Sequence, residues 1–193
     1  SVVVPTYNRP EMLKRAVESV INQTFQDFEI IVVNDGGVDI DHILSSLNRN
    51  RNITSLKHAQ NRGVAAARNS GLKLARGTYV AYLDDDDLFY PDHLETLVKS
   101  LETNNCKVAY TDAYRARYGG NDVKHAARSR DLRYSSDFDE EQILIHNFIP
   151  TLCLMHERSI LGEVGGFDES LQVYEDWDLW IRLTRSYDIH GDP

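Results

Sequence analysis

Short apolar runs alternate with amphipathic stretches over the first half of the chain. The apolar runs are rich in β-branched and aromatic residues, which is typical of buried strands. The stretches between them repeat an apolar residue every three or four positions, which is typical of helices. The predicted order is a strand at 1–4, a helix from Pro10, a strand at 28–37, a helix at 40–47, a strand at 53–58, a helix at 64–75, a strand at 78–83 and a helix at 91–102. This alternation predicts parallel β-α-β units in an open sheet with helices on both faces.

The pattern changes after Cys106. The segment KVAYTDAYRARYGGNDVKHAA predicts a hairpin with its turn at residues 119–121. Three further elements are predicted: a helix around Glu140–His146, a strand at CLMHE and a final helix over Glu175–Arg185. We therefore expect a smaller α+β part after the β-α-β half, with the division near residue 105.

Composition narrows the class of protein. The chain has 193 residues, of which 41% are hydrophobic, and this suits one domain with a sizeable core. Its net charge of −9 argues against nucleic acid or an anionic membrane as the main partner. No apolar run reaches the roughly 20 residues of a membrane helix. Cys106 and Cys153 are far apart and outside any CxxC spacing, so we expect two reduced thiols rather than a disulfide.

Polar segments follow each of the first four predicted strands. They are Thr6-Tyr7-Asn8, Asn34–Gly37, the loop before Gly63 and Asp84–Asp87. In an open parallel sheet, ligands bind outside the carboxyl ends of the strands. The sequence therefore predicts a binding crevice at this edge of the sheet.

Asp84–Asp87 are four consecutive carboxylates directly after an apolar strand. If the segment is extended, Asp84 and Asp86 share one face, because alternate residues of a strand point the same way. Mg²⁺ is usually held by one or two carboxylates together with substrate phosphates and water. A solvated acidic loop is the alternative. The position of the cluster, between a buried strand and a helix that starts with Pro91, favours a metal or ligand site.

Four segments in order resemble a known family. VVVPTYNRPEMLKRAVESVINQTFQDFEIIVVNDGG, NRGVAAARNSGLKLARG, TYVAYLDDDD and GGFDESLQVYEDWDLWIRL are similar to the family 2 nucleotide-sugar glycosyltransferases. The resemblance implies an α/β GT-A (Rossmann-like) fold, with an open, mostly parallel sheet flanked by helices. It also implies a metal-dependent enzyme that moves a sugar from a nucleoside diphosphate-sugar to an acceptor hydroxyl with inversion. Residues 1–105 would then form the nucleotide-sugar-binding half of the domain and residues 106–193 its acceptor-side half.

The resemblance also assigns roles to single residues. Those expected to hold the nucleotide are Thr6, Tyr7, Asp35, Arg68, Asp84 and Asp85. Asp86 is expected on Mn²⁺ or Mg²⁺, Asp176 is the candidate general base, and Glu175 and Trp177 are expected on the acceptor or sugar side. Structural alternatives remain open: a surface helical role for Arg68, a helix N-terminal acid for Asp176 and core packing for Trp177.

The expected partners are a nucleoside diphosphate-sugar, with a UDP-sugar favoured, and a glycan or lipid-linked acceptor. The chain opens on a strand-like run without Met, so we expect it to be part of a longer protein. The expected location is the cytoplasm, or the cytoplasmic face of a membrane through that parent protein. Family members continue past the last helix into another strand, often with a His, so we expect part of the acceptor site to lie beyond residue 193. The rival hypotheses are a nucleotidyltransferase that makes a nucleotide-sugar and a non-catalytic nucleotide-sugar-binding domain.

Overall fold

A seven-stranded, mostly parallel sheet lies at the centre of the computed structural model, which describes residues 1–47, 53–117 and 129–192. Its strands are β1 (Val2–Thr6), β2 (Ile30–Asn34), β3 (Ile53–Lys57), β4 (Tyr79–Tyr82), β5 (Val108–Thr111), β8 (Leu154–Glu157) and β9 (Ile189–Asp192). A separate two-stranded sheet pairs β6 (Ala113–Arg117) with β7 (Ser129–Tyr134) in antiparallel fashion. The helices are α1 (Pro10–Ile21), α2 (Asp41–Leu47), α3 (Val64–Leu72), α4 (His93–Asn104), α5 (Leu161–Val164) and α6 (Glu175–Thr184).

The strand order of the main sheet is β3-β2-β1-β4-β8-β5-β9. The first four neighbours are parallel, so their carboxyl ends meet at one edge. Strand β8 runs antiparallel between β4 and β5, and β9 is parallel to β5. The order of the strands changes direction at β1: β2 and β3 lie on one side of it and β4 on the other. In an open parallel sheet, ligands bind in the crevice at such a change of direction.

The alternation of side chains along β1 builds a core on each face of the sheet. Val2 and Val4 belong to a cluster that includes the apolar stripe of α1 and the buried leucines of α4. Val3 belongs to the opposite cluster, which includes Ala67 of α3 and Trp180 of α6. The sheet is therefore covered on both faces, as the continuous apolar runs of its strands predict.

The predicted strands and helices of the first half are confirmed, with ends that shift by a few residues. The helix predicted around Glu140–His146 is wrong, because the structure has only a 3-10 turn at Gln142–Leu144. Of that segment only Ile143 is buried, while Leu144 and Ile145 are exposed. A segment that buries no continuous apolar stripe gains too little packing to sustain a longer helix.

The predicted hairpin is displaced along the chain. Its first predicted strand joins the main sheet as β5, and the hairpin forms from β6 and β7, whose strands pair at Arg115 with Asp131. The predicted turn at residues 119–121 lies outside the described residues. The segment after the last helix is itself a strand, β9, and His190 lies within it. The expectation that part of the acceptor site lies beyond residue 193 stays a prediction.

Both cysteines are free, and Cys153 is buried. Within the described ranges, no helix is long and apolar enough to cross a membrane.

Close packing of α3 on β1 requires a glycine at position 71. A Cβ added to Gly71 would meet the side chain of buried Val3. We expect Gly71→Ala to destabilise the protein by about 1–3 kcal/mol, because a packed core accommodates an extra methyl group only by shifting α3 away from the sheet. Urea denaturation measures the change. Gly162→Ala is the matched control, since a Cβ there meets open space; equal stability of the two variants would contradict the close approach.

Candidate active site

The loops after β1, β2 and β4, with the loop before α3, enclose a cavity of about 380 Å³ at the carboxyl edge of the sheet. Its lining includes Thr6, Tyr7, Asp35, Gly63, Asp84 and Asp85. Five of the six residues predicted to bind a nucleotide are therefore brought together in one cavity, and the sixth, Arg68, lies behind it. Asp86 also lines this cavity.

The four aspartates form a turn rather than an extended segment. The amide of Asp87 donates to the carbonyl oxygen of Asp84 at 3.0 Å. The expected extended conformation is therefore wrong, and the carboxylates of Asp84 and Asp86 have different partners although both residues line the cavity. Asp84 pairs with Arg68, whereas Asp86 pairs with Arg9.

Arg9 is a site residue that the sequence analysis missed. Its guanidinium contacts the carboxylates of both Asp85, at 3.0 Å, and Asp86, at 2.7 Å. Asp85 is buried and also accepts a hydrogen bond from the hydroxyl of Thr6 at 2.6 Å. The signal was present in PTYNRP, where an arginine follows the first strand on the same edge as the aspartates.

The pKa values of the cluster reflect its crowding. Burial raises the pKa of Asp85, and the hydrogen bond from Thr6 and the charge of Arg9 oppose that rise. Burial and the three preceding carboxylates raise the pKa of Asp87 to about 7. The two arginines at the cluster therefore leave negative charge that is only partly compensated, which favours a cation nearby.

Asp35 holds the loop that leads into α3. Its carboxylate accepts hydrogen bonds from the amides of Arg62 and Gly63 at 2.9 Å, and it contacts the Nδ1 atom of His58 at 2.6 Å. Gly63 adopts a φ of +90°, a conformation that favours glycine. Asp35 thus fixes the wall of the cavity that it lines, and its contact with a nucleoside base stays a prediction. Tyr7, by contrast, is half-exposed at the rim.

Arg68 is buried, with only 2% of its surface exposed. One terminal nitrogen donates to Asp84 at 2.7 Å and the other to Glu175 at 2.6 Å. The guanidinium also lies 5.3 Å from the centre of the Phe167 ring. The alternative of a surface helical role is at odds with this burial. The structure gives Arg68 a positioning role, and its predicted contact with a nucleotide stays a prediction.

Asp176 lies in the first turn of α6, directly after Glu175. Its Oδ2 atom accepts hydrogen bonds from the hydroxyl of Thr151 at 2.8 Å and from the amide of Asn147 at 3.2 Å. Its Oδ1 atom contacts the backbone amide of Trp177. Donors from a separate loop therefore fix the orientation of this half-buried carboxylate. An acid that only stabilised the N-terminus of the helix would not require these donors.

The two tryptophans of α6 are held differently. Trp180 is fully buried, and its indole donates to the carbonyl of Ile149 at 3.0 Å. Trp177 is half-buried, packs against the core and donates to the carbonyl of Ile143. Trp177 also contacts the exposed ring of Tyr174. Core packing accounts for Trp180, and the placement of Trp177 beside a sugar stays a prediction.

The residues present fit a divalent ion that takes most of its ligands from a substrate. Within the described residues, no group of three His, Cys, Asp or Glu side chains is arranged to hold a metal. Asp86 is half-exposed and Asp84 is a third exposed, so one or two carboxylate oxygens face the cavity. Mg²⁺ sites of this kind are completed by substrate phosphates and water.

Removal of the Arg68 guanidinium is expected to destabilise the protein by about 3–5 kcal/mol, because two carboxylates lose their partner in a largely buried place. Arg68→Met removes the charge but keeps an unbranched side chain that packs in the same place, and urea denaturation measures the change in stability. The control is Arg62→Gln, whose exposed pair with Glu169 should contribute only about 0–1 kcal/mol. Similar values for the two variants would contradict a structural role of the buried bridge.

The chain is similar to known proteins over most of its length. The profile of the Glycosyl transferase family 2 matches residues 1–162. The chain is 31% identical over its whole length to the uncharacterized glycosyltransferase YwdF of Bacillus subtilis, of which it covers 70%. It is 33% identical to an uncharacterized glycosyltransferase of Rickettsia felis, over 99% of this chain but only 31% of that protein. The chain thus spans less than half the length of the second relative.

Solved structures show the same architecture. The structure of S. aureus TarS residues 1–349 in complex with UDP superimposes with a TM-score of 0.76 at 22% identity, over 99% of this chain and 56% of that one. The mannosyltransferase PcManGT of Pyrobaculum calidifontis, in complex with GDP-Man and Mn²⁺, gives a TM-score of 0.74 at 18% identity, over 100% and 54% of the two chains. At these identities the likeness establishes the fold. With the match of the family profile over most of its length, the chain belongs to glycosyl transferase family 2 and has the GT-A fold.

Proposed function

We propose that this chain carries the site of an inverting, metal-dependent transfer of a sugar from a nucleoside diphosphate-sugar to an acceptor hydroxyl. The observation that carries the proposal is the placement of two differently supported carboxylate groups on either side of the buried Arg68 bridge. On one side lies the aspartate turn, at the edge of a cavity large enough for a ligand. On the other side lies Asp176, oriented by Thr151 and Asn147.

A UDP-sugar is the favoured donor. TarS has been solved with UDP and with UDP-GlcNAc, and PcManGT with GDP-Man and Mn²⁺. In this chain, Tyr7 offers an exposed aromatic ring at the rim of the cavity, suited to stacking on a base. Asp35 and Asp84 line the same cavity, and both would accept hydrogen bonds from a nucleoside there.

Charge governs the departure of the nucleotide. Cleavage of the bond between the sugar and the diphosphate builds negative charge on the leaving group, and a bound divalent ion supplies compensating charge there. Asp86 would hold Mn²⁺ or Mg²⁺ at this position. Arg9 contacts the same carboxylate, so its guanidinium is placed to exchange Asp86 for a diphosphate oxygen when the ion binds.

Asp176 would accept the proton of the acceptor hydroxyl as that oxygen attacks the sugar. The hydrogen bonds from Thr151 and Asn147 hold the Oδ2 atom of this carboxylate in a fixed orientation. Attack from the face opposite the leaving diphosphate inverts the anomeric centre in one displacement. Glu175 is not free for this task, since its Oε1 atom pairs with Arg68.

Family membership favours sugar transfer over a nucleotidyltransferase. The sugar-transfer assay of the wild type and of Asp176→Asn distinguishes an enzyme from a non-catalytic nucleotide-sugar-binding domain. The division into a nucleotide-sugar-binding half at 1–105 and an acceptor-side half at 106–193, and a location at the cytoplasmic face of a membrane, also belong to the proposal.

The proposed metal ligand is tested by nucleotide binding. We expect UDP to bind more tightly when Mn²⁺ is present, and we expect Asp86→Ala to abolish that enhancement, because the ion joins the carboxylate to the diphosphate. Calorimetric titration with and without Mn²⁺ measures it. Asp27→Ala, which removes an exposed acid before β2, is the control. An enhancement that survives in Asp86→Ala would reject Asp86 as the ligand.

The proposed base is tested by separating chemistry from binding. A general base contributes typically about 10²–10⁴-fold to rate, so Asp176→Asn should lose transfer by that factor while UDP binding stays unchanged. The assay follows sugar transfer from a panel of nucleotide-sugars to glycan acceptors. Asp178→Asn is the matched control, because that acid pairs with Arg182 on the same helix. Normal transfer by Asp176→Asn would remove it as the base, and absence of transfer in the wild type across the panel would favour the binding domain.

A further inference from the structure

A second cavity, of about 480 Å³, lies on the other side of the aspartate turn. One wall is the segment between β4 and α4, including Asp86, Asp87 and Tyr90, and the opposite wall is the β6–β7 hairpin. Asp86 lines both this cavity and the 380 Å³ cavity assigned to the donor. The two cavities therefore meet at the carboxylate where the diphosphate is proposed to leave.

The second cavity also borders the loop that orients the candidate base. Pro150 and Leu152 form part of its wall. Thr151, between them, donates the 2.8 Å hydrogen bond that orients Asp176. A hydroxyl bound in this cavity is thus bordered by the loop that positions the base and by the aspartate turn of the donor edge.

Exposed tyrosine rings line the second cavity. Tyr90, Tyr114 and Tyr134 line it, and all three are more than a third exposed. The rings of Tyr90 and Tyr114 are in edge contact, with their centres 6.0 Å apart. Exposed aromatic rings with one polar end suit the apolar faces and hydroxyl groups of a sugar or polyol.

The hairpin wall is basic in an acidic protein. Its two strands, β6 and β7, hold four of the chain's 21 Lys and Arg but only one of its 30 Asp and Glu. Arg115 and Arg130 line the cavity. Arg130 is exposed, and its described contacts are neutral: it donates to the hydroxyl of Tyr90 at 3.0 Å and lies over that ring. Arg115 contacts Asp131, while its Nε atom is buried without a hydrogen-bond partner among the described residues.

We propose that this cavity binds the acceptor and selects a sugar or polyol that carries an anionic group, a phosphate or a carboxylate. The proposal rests on the proposed function, since it names the substrate class of the same site. The anionic group lies against Arg130 and Arg115, and the reacting hydroxyl lies toward Asp86 and Thr151. Among the described residues, a neutral acceptor would leave Arg130 without an ionic partner, whereas an anionic one gains charge-assisted hydrogen bonds from both arginines.

Direct binding tests the charge preference without relying on transfer. Glucose 6-phosphate, glucuronate and glucose are titrated into the wild-type chain by calorimetry, with and without saturating UDP and Mn²⁺. We expect the two anionic sugars to bind about tenfold more tightly than glucose, because hydrogen bonds to a charged group are stronger than neutral ones. A preference for glucose 6-phosphate over glucuronate assigns the site to phosphates, and the reverse preference assigns it to carboxylates. Equal affinity for glucose and both anionic sugars would overturn the proposal.

Two variants separate charge from stacking. Arg130→Gln should weaken the anionic sugars by about tenfold and leave glucose unchanged, because it removes the charge alone. Tyr114→Ala should weaken all three ligands, because each sugar loses the same stacking surface. Arg76→Gln removes the same charge at an exposed position before β4, on the opposite edge of the sheet, and should behave as wild type.

Three outcomes count against the acceptor cavity. Loss of glucose 6-phosphate binding when UDP is added would place the sugar phosphate in the donor cavity. Equal weakening by Arg130→Gln and Arg76→Gln would show that binding follows overall charge. A loss of glucose binding in Arg130→Gln equal to that of the anionic sugars would show a general defect of the hairpin. Each of these binding results can be interpreted even when no sugar transfer is observed.

Discussion

The buried guanidinium of Arg68 is the constraint on which the site depends. A cation that is 2% exposed requires compensating charge, and the structure supplies it from two directions. Asp84 comes from the end of β4 and Glu175 from the start of α6, so the bridge joins segments that are 91 residues apart in sequence. Any shift of α6 relative to the sheet would uncover the charge. The bridge thereby fixes Asp176, the next residue along α6, relative to the aspartate turn.

The aspartate turn shows how one acidic run acquires several environments. Asp84 is neutralised by Arg68, and Asp85 is buried against Thr6 and Arg9. Asp86 pairs with the same Arg9 guanidinium as Asp85 but is half-exposed. Burial and neighbouring carboxylates raise the pKa of Asp87 to about 7. Adjacent identical residues thus differ in charge and in access, and this difference leaves one carboxylate available at the edge of the cavity.

The sequence predicts those features that depend on local patterns. The apolar runs of the first four strands and the stripe of α1 each bury a face, so their order and the edge where they end follow from periodicity. The position of Asp35, Asp84 and Asp85 at that edge follows in turn. The family resemblance added Asp176, which no local pattern distinguishes from a helix N-terminal acid.

The rest depends on contacts that are distant in sequence. The turn of Asp84–Asp87 is accompanied by pairing with Arg9 and Arg68, and a pattern of consecutive aspartates does not reveal which cation reaches which carboxylate. The burial of Arg68 is set by α6, far along the chain. The segment at residues 140–146 has the composition of a helix, but the fold leaves Leu144 and Ile145 exposed, so tertiary packing decides against it.

Asp86 is the aspartate that the two cavities share. This residue borders both cavities, with the donor edge of the sheet on one side and the tyrosine-lined hairpin wall on the other. The proposed donor side is acidic, so a cation would accompany a diphosphate there, whereas the basic hairpin wall would accept an anion without one. This difference in charge would draw the anionic group of the proposed acceptor toward the hairpin and away from the aspartates. Its neutral hydroxyl would then lie toward the acidic end, near Thr151, whose hydrogen bond orients the proposed base Asp176.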